Sequence, residues 1–283
     1  MDNLNKINTF AKQHNCIIGI CDALPLENVQ LKNAKKPPFV TPNLEKRINP
    51  LLSLPTAKSV IVLGKSYSPS PYKNLSSLGN GTDYHNTIKT LLQKLAKLLA
   101  CQNVIMVDSG VLAERPFAIK AGLGFWGRNN MVISPKLGSF FNIGLLLVDI
   151  LLPPTETQQS ADNLQCPTDC NICMKSCPAG AITPYFVNFE KCVSYITQKK
   201  GLLNLRETIL LQKSQQLYGC DICQNCCPFN DFSQQQTEYN TAEILQMQQE
   251  EFTKKFGDTA LAWRGLSHLQ RNAKLITRKE ENY

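Results

Sequence analysis

Of the twelve cysteines in this 283-residue chain, nine fall between positions 166 and 227, and their spacing constrains the molecule more than any other feature. The first run is Cys166-x3-Cys170-x2-Cys173-x3-Cys177-Pro178. The second is Cys220-x2-Cys223-x2-Cys226-Cys227-Pro228, and Cys192 stands alone between the two. Both runs end in Cys-x2-Cys-x3-Cys-Pro. That spacing holds [4Fe–4S] cubanes, and the cysteine before proline crosses over to ligate the other cluster. Two such runs imply two clusters near enough to exchange electrons.

Each cubane takes four thiolates. Cys166, Cys170, Cys173 and Cys227 are assigned to one, and Cys177, Cys192, Cys220 and Cys223 to the other, which leaves Cys226 spare. Zinc also accepts Cys-x2-Cys pairs, but a zinc site has no use for proline after the last cysteine of both runs. Disulfides require an oxidising compartment, and the polar N-terminus reads as neither a secretory nor a twin-arginine signal. Cys16, Cys21 and Cys101 lie outside the runs and read as small buried apolar residues.

No stretch approaches the length of uninterrupted apolar residues that a spanning helix needs. The expectation is a cytoplasmic monomer without membrane contact. A net charge of +8 is a moderate basic excess, and its distribution says more than its size. From Phe252 onward, Lys254, Lys255, Arg264, Arg271, Lys274, Arg278 and Lys279 face only Asp258, Glu280 and Glu281. Such a segment is either a solvated helical face or a contact to phosphates.

Three parts are expected: an α/β (α+β) domain over 1–153, a double-cluster module over 164–230, and a basic helical segment over 231–283. In the first part, Ser59–Leu63, Val104–Val107 and Asn142–Asp149 read as buried strands. Asp83–Ala100 carries Ile88, Leu91, Leu92, Leu95, Leu98 and Leu99 at helical spacing, with Thr82 or Asp83 as N-cap. Pro153-Pro154 and the polar stretch to Asn163 mark a linker. Ala242–Phe256 and Ala262–Thr277 read as helices, the first bounded by Gly257.

Some motifs have no role in cluster ligation. They are Arg47-Ile-Asn-Pro50, Asp83-Tyr-His85, Val107-Asp-Ser-Gly-Val-Leu-Ala-Glu-Arg115, Ala121-Gly-Leu-Gly-Phe-Trp-Gly-Arg-Asn129 and Ile133-Ser-Pro-Lys-Leu-Gly-Ser139. The module adds Cys192-Val-Ser-Tyr-Ile-Thr197 and Tyr218-Gly-Cys-Asp-Ile-Cys223. In this order, over roughly residues 45 to 275, they resemble the epoxyqueuosine reductases, cobalamin- and iron–sulfur-dependent enzymes of tRNA queuosine synthesis. The chain departs from that family in three ways. Three residues separate Cys166 from Cys170 where two are usual, Arg128 replaces a more common lysine, and the sequence stops soon after Arg271-Asn272. It therefore resembles a short form without the C-terminal helical-repeat extension.

The resemblance implies cobalamin in the first domain, contacted by Arg47, Asp108, Val132, Ser134 and Gly138, with Arg115 a further candidate; the competing role for Arg47 and Arg115 is simple pairing with Glu114 or Glu45. It implies reductive removal of the epoxide oxygen of epoxyqueuosine at the tRNA wobble position. Asp108 matches the proton donor, and a shielded carboxyl at a strand's end is expected to have its pKa raised by desolvation. Asp before Ser-Gly also suits an Asx turn. Glycines 122, 124, 127 and 138 either admit a planar ligand or make turns. Tyr84, Phe125 and Trp126 are candidate walls for a modified base or core residues, and His85 is structural or a pocket wall. The implied partners are an anticodon stem-loop and an external low-potential electron donor such as a flavodoxin or ferredoxin. Arg271 and Lys274, together with Lys191, Lys199, Lys200, Arg206 and Lys213, are expected to meet the RNA. A cobalamin reductase of the reductive-dehalogenase kind and a bare electron-transfer module are the competing readings.

Overall fold

Two of the apolar runs are the centre of a four-stranded antiparallel sheet. The computed structural model describes residues 2–27, 37–38, 40–79, 81–108, 110–155, 165–230 and 235–278. The chain divides into two compact units, Met1–Tyr67 with His85–Thr168, and Ser68–Tyr84 with Asp169–Tyr283. This division differs from the three-part expectation. The C-terminal helices share a unit with all of the clustered cysteines except Cys166, and a segment from the first part of the chain joins them.

In the first unit the strands are β1 (Ile17–Asp22), β2 (Ser59–Ser66), β3 (Asn103–Met106) and β6 (Phe141–Val148), ordered β1-β2-β6-β3. Ile61 lies opposite Ile20 on one side and Leu146 on the other. β2 and β6 are covered on both faces, which is why they read as continuous apolar runs instead of alternating ones. On one face Val60, Val62, Leu145 and Leu147 share a core with Phe117, Ala118 and Ala121 of α4 (Glu114–Lys120) and the turn after it. On the other face lies α3 (Tyr84–Leu99), which buries Ile88, Leu91, Leu92, Leu95 and Leu99. A Cβ at Gly144 would strike Ile88 and Leu92, so glycine sets how closely α3 approaches β6. One expectation is corrected here: β3 is an edge strand with Val104 and Ile105 only half-buried, because no strand among the described residues pairs with its outer side. Most of the expected linker, 156–163, lies outside the described residues.

In the second unit the helices are α5 (Ile172–Ser176), α6 (Val193–Gln198), α7 (Leu205–Ser214), α8 (Ile222–Asn225), α9 (Thr241–Gln246), α10 (Gln249–Phe256) and α11 (Leu266–Thr277). The expected helix over 242–256 is two, broken at the buried Met247, whose extended backbone has ψ 134°. Leu217, Tyr218, Tyr239, Ile244, Phe252, Phe256, Leu261 and Leu269 form its core. Asn272 of α11 is fully buried and donates to the carbonyls of Thr197 and Leu217 at 2.9 and 2.8 Å. Beside it, Arg271 donates to the carbonyls of Thr197, Lys199 and Gly201 at 3.2, 2.5 and 2.8 Å. Arg271 thus closes the open C-terminal end of α6, whose last carbonyls have no helical partner. The expectation that it meets RNA phosphates is corrected, because its donors are spent inside the protein. Lys199 is engaged as well, 2.6 Å from Glu207.

Candidate functional sites

The thiols gather around short helices of the second unit. Cys173 lies within α5 and Cys177 caps its C-terminal end, while Cys192 precedes α6 and Cys223 lies within α8. Residues 68–84 hold the second run in place through Asp221. Its buried carboxylate accepts from Ser76 Oγ at 2.8 Å and from the Ser77 amide at 2.6 Å. Gly219, at φ 64°, passes so close to Ser76 that any side chain would collide with it. The amide of Ala181 donates to Cys177 Sγ at 3.4 Å.

Of the four thiols allotted to one cluster on spacing, Cys220 lies within electrostatic reach of Cys177, Cys192 and Cys223. Burial pushes the Cys220 thiol up to about 12, and the neighbouring Cys192, Asp221 and Cys177 push the same way. Burial raises Cys223 well above the thiol range, reinforced by Cys220 and Cys192. Only a strong positive centre would keep such thiols ionised, so the donor set fits metal ligation. Among the described residues, no three His, Cys, Asp or Glu side chains converge on one ion. A cubane instead presents a separate iron to each thiolate. Cys226, the spare, is half-buried and within electrostatic reach of Cys170 and Cys177. Cys166 is buried in the first unit. Its Sγ accepts the Arg128 amide at 3.4 Å, and the Arg128 guanidinium donates to the Thr168 carbonyl at 2.6 Å. Arg128 therefore anchors the chain that leads into the first run.

The second candidate site lies beyond β3. Asp108 has φ 51°, and its carboxyl is 63% exposed, with Oδ2 at 3.2 Å from His85 Nε2. Its amide donates to Glu114 Oε1 at 2.6 Å. The desolvation expected at Asp108 falls on Glu114 instead. Burial raises the Glu114 pKa to about 8, and the nearby Asp108 charge adds to the shift. The reason is position: Asp108 projects past the edge strand, while Glu114 opens the helix packed on the sheet. Sequence reasoning treated Glu114 only as an ion-pair partner, although a carboxyl four residues before the buried Ala118 was a signal of its burial.

Arg47, near the end of α2 (Leu44–Ile48), is half-buried, and both that burial and the charge of Arg115 lower its pKa. Its carbonyl accepts the Ala113 amide at 2.9 Å, and Arg115 donates to the Asn130 carbonyl at 2.5 Å. Two guanidiniums held close together suit a ligand fringed with phosphate and amides, so this donor set fits cobalamin. Val132 and Ser134 are buried. Ser134 and Gly138 exchange amide hydrogen bonds at 2.8 and 2.9 Å across a turn with Gly138 at φ 61°. The glycines serve local packing. A Cβ on Gly124 or Gly127 would strike Ile133, within the hairpin of β4 (Phe125–Trp126) and β5 (Val132–Ile133). Phe125 is a core residue, Trp126 and Tyr84 are half-buried, and His85 packs against Asp108.

Two family descriptions match the chain. Residues 47–109 match "Epoxyqueuosine reductase QueG, DUF1730", and residues 165–230 match "4Fe-4S double cluster binding domain". The epoxyqueuosine reductase of Staphylococcus aureus is 34% identical over 90% of this chain and 74% of its own length. A crystal structure of epoxyqueuosine reductase with an epoxyqueuosine-modified tRNA-Tyr stem loop superposes with TM-score 0.83 at 26% identity, covering 97% of this chain and 81% of that one. The Bacillus subtilis enzyme, solved with its catalytic aspartate loop swung out of the active site, superposes with TM-score 0.82 at 26% identity, covering 97% and 82%.

Proposed function

We propose, for a chain that belongs to the epoxyqueuosine reductase family, that it reduces epoxyqueuosine to queuosine in the anticodon loop of tRNA. The observation that supports this reading best is the presence, in a fold shared along nearly the whole chain, of a solvent-exposed acid at Asp108 and two runs of cluster-type cysteines. When bound, the [4Fe–4S] clusters and cobalamin supply single-electron transfer and a low-valent cobalt centre.

The residues of the chain supply the rest. Conversion of an epoxide to an alkene and water consumes two electrons and two protons. An alkoxide leaves poorly, so the opening oxygen needs a positioned acid, an effect typically of about 100- to 10,000-fold. Asp108 is that donor in this reading, with His85 Nε2 3.2 Å from its carboxyl. Arg47 and Arg115 hold the periphery of the corrin together with Val132, Ser134 and Gly138. The eight cysteines Cys166, Cys170, Cys173, Cys177, Cys192, Cys220, Cys223 and Cys227 hold the clusters. We take the Asp108 loop as the counterpart of the aspartate loop that swings out in the Bacillus subtilis enzyme.

On the RNA side, with Arg271 committed to α6, the reading moves to Trp263. Its ring is 61% exposed, and the Arg264 guanidinium lies 3.5 Å from its centroid. One face of an exposed ring beside a cation suits base stacking next to phosphate. An external low-potential donor such as a flavodoxin or ferredoxin feeds the clusters, and the chain works as a monomer in the cytoplasm. No helix among the described residues is long and apolar enough to cross a membrane. The test is incubation of reconstituted protein with an epoxyqueuosine-bearing stem-loop and a low-potential reductant, with nucleosides read by mass spectrometry. Queuosine should accumulate. A protein replete in iron and corrin that leaves the epoxide intact would overturn the reading.

A further inference from the structure

Asp108 holds a left-handed backbone, φ 51°. For a residue with a side chain that conformation costs roughly 1–2 kcal/mol, even though aspartate tolerates it better than most. Something must hold it there, because a donor carboxyl is useful only in one orientation. Its amide donates to Glu114 Oε1 at 2.6 Å, a short bond to a half-buried acceptor. Glu114 is itself rigidly placed. It opens α4, whose Phe117 and Ala118 are fully buried under the sheet, and the preceding Ala113 amide is tied to the Arg47 carbonyl at 2.9 Å. The charged and titratable groups facing Glu114 are Asp108, Arg115 and His85, with Arg47 next to Arg115.

We propose that Glu114 is a positioning residue, which fastens the Asp108 amide to the N-terminal end of α4 and so sets the carboxyl against His85. The inference rests on the reading of Asp108 as proton donor. It assigns Glu114 no contact with substrate. The bond to Glu114 is the tether that the Asp108 loop must release if it swings outward.

The experiment compares Glu114→Ala and Glu114→Gln with the parent protein, all carrying iron and corrin. Hydrogen–deuterium exchange of the peptide spanning 104–112 reads the tether without reference to activity. Steady-state kinetics read its consequence. With the acceptor removed, Glu114→Ala should speed exchange about tenfold and lower kcat about 10- to 100-fold, with KM within about twofold, as expected when a catalytic group is misplaced. Glu114→Gln keeps a carbonyl oxygen in place and should restore protection and much of kcat. Unchanged exchange in Glu114→Ala overturns the tether. Faster exchange with unchanged kcat overturns the positioning role. Asp108→Asn, assayed alongside, then shows which reading failed: if it too is active, the donor assignment is wrong, and if inactive, only Glu114 is. Should Glu114→Ala not accumulate, Glu114→Asp, one methylene short of the amide, is held to the same outcomes.

Discussion

Asp108 and Glu114 divide between them what a single carboxylic acid was expected to do: one is open to solvent and the other is desolvated. Replacing Asp108 by Asn should leave iron content and corrin absorption intact and lower kcat by about 100-fold or more, the scale of lost acid catalysis. Glu114 should be visible in stability. Unfolded, it releases its proton near the ordinary 4.5, and folded it keeps that proton to about 8, mainly because burial disfavours the charge. Between those values the unfolded chain binds fewer protons, so stability falls as pH rises, with a limiting slope of about 1.4 kcal/mol per pH unit. Urea titrations from pH 5 to 8 should show a shallower decline in Glu114→Gln than in the parent. Equal slopes would place the Glu114 charge in water.

At the scale of elements, Gly144 and the Arg271–Asn272 pair carry the arrangement. Gly144→Ala pushes a methyl into Ile88 and Leu92 and should cost about 1–3 kcal/mol of stability, measured by denaturant titration. Arg271→Glu uncaps α6 and should lower stability at least as much as RNA affinity. Trp263→Ala should do the opposite. The ring is exposed, so stability should hold, while loss of one stacked base should weaken stem-loop binding roughly 5- to 150-fold. Unchanged affinity at low salt would remove Trp263 from the interface. The helix α3 was legible from its leucine spacing because one amphipathic face decides it. The break between α9 and α10 was not, since no glycine or proline stands there and only the burial of Met247 marks it.

At the scale of the whole molecule, the two cysteine runs predict about eight irons per reconstituted chain. Cys227→Ala should damage the cluster held otherwise by Cys166, Cys170 and Cys173, leaving a signal from the other. Iron near four per parent chain, or stoichiometric zinc, would refute crossed double-cubane ligation.

The cysteine spacing, the apolar runs of β2 and β6 and the ordered motifs were enough to identify cluster chemistry, a layered α+β domain and the family, because each is a local pattern repeated along the chain. The environment of single residues was decided only by tertiary structure. Asp108 and Glu114 are both acids near one turn, and only the packing of α4 determines which one loses water. Arg271 and Arg264 are both cations of one basic segment, yet one meets the carbonyls at the end of α6 and the other an exposed indole. Desolvation and hydrogen-bond partnership depend on what distant segments bring alongside, and no spacing within the segment itself encodes that.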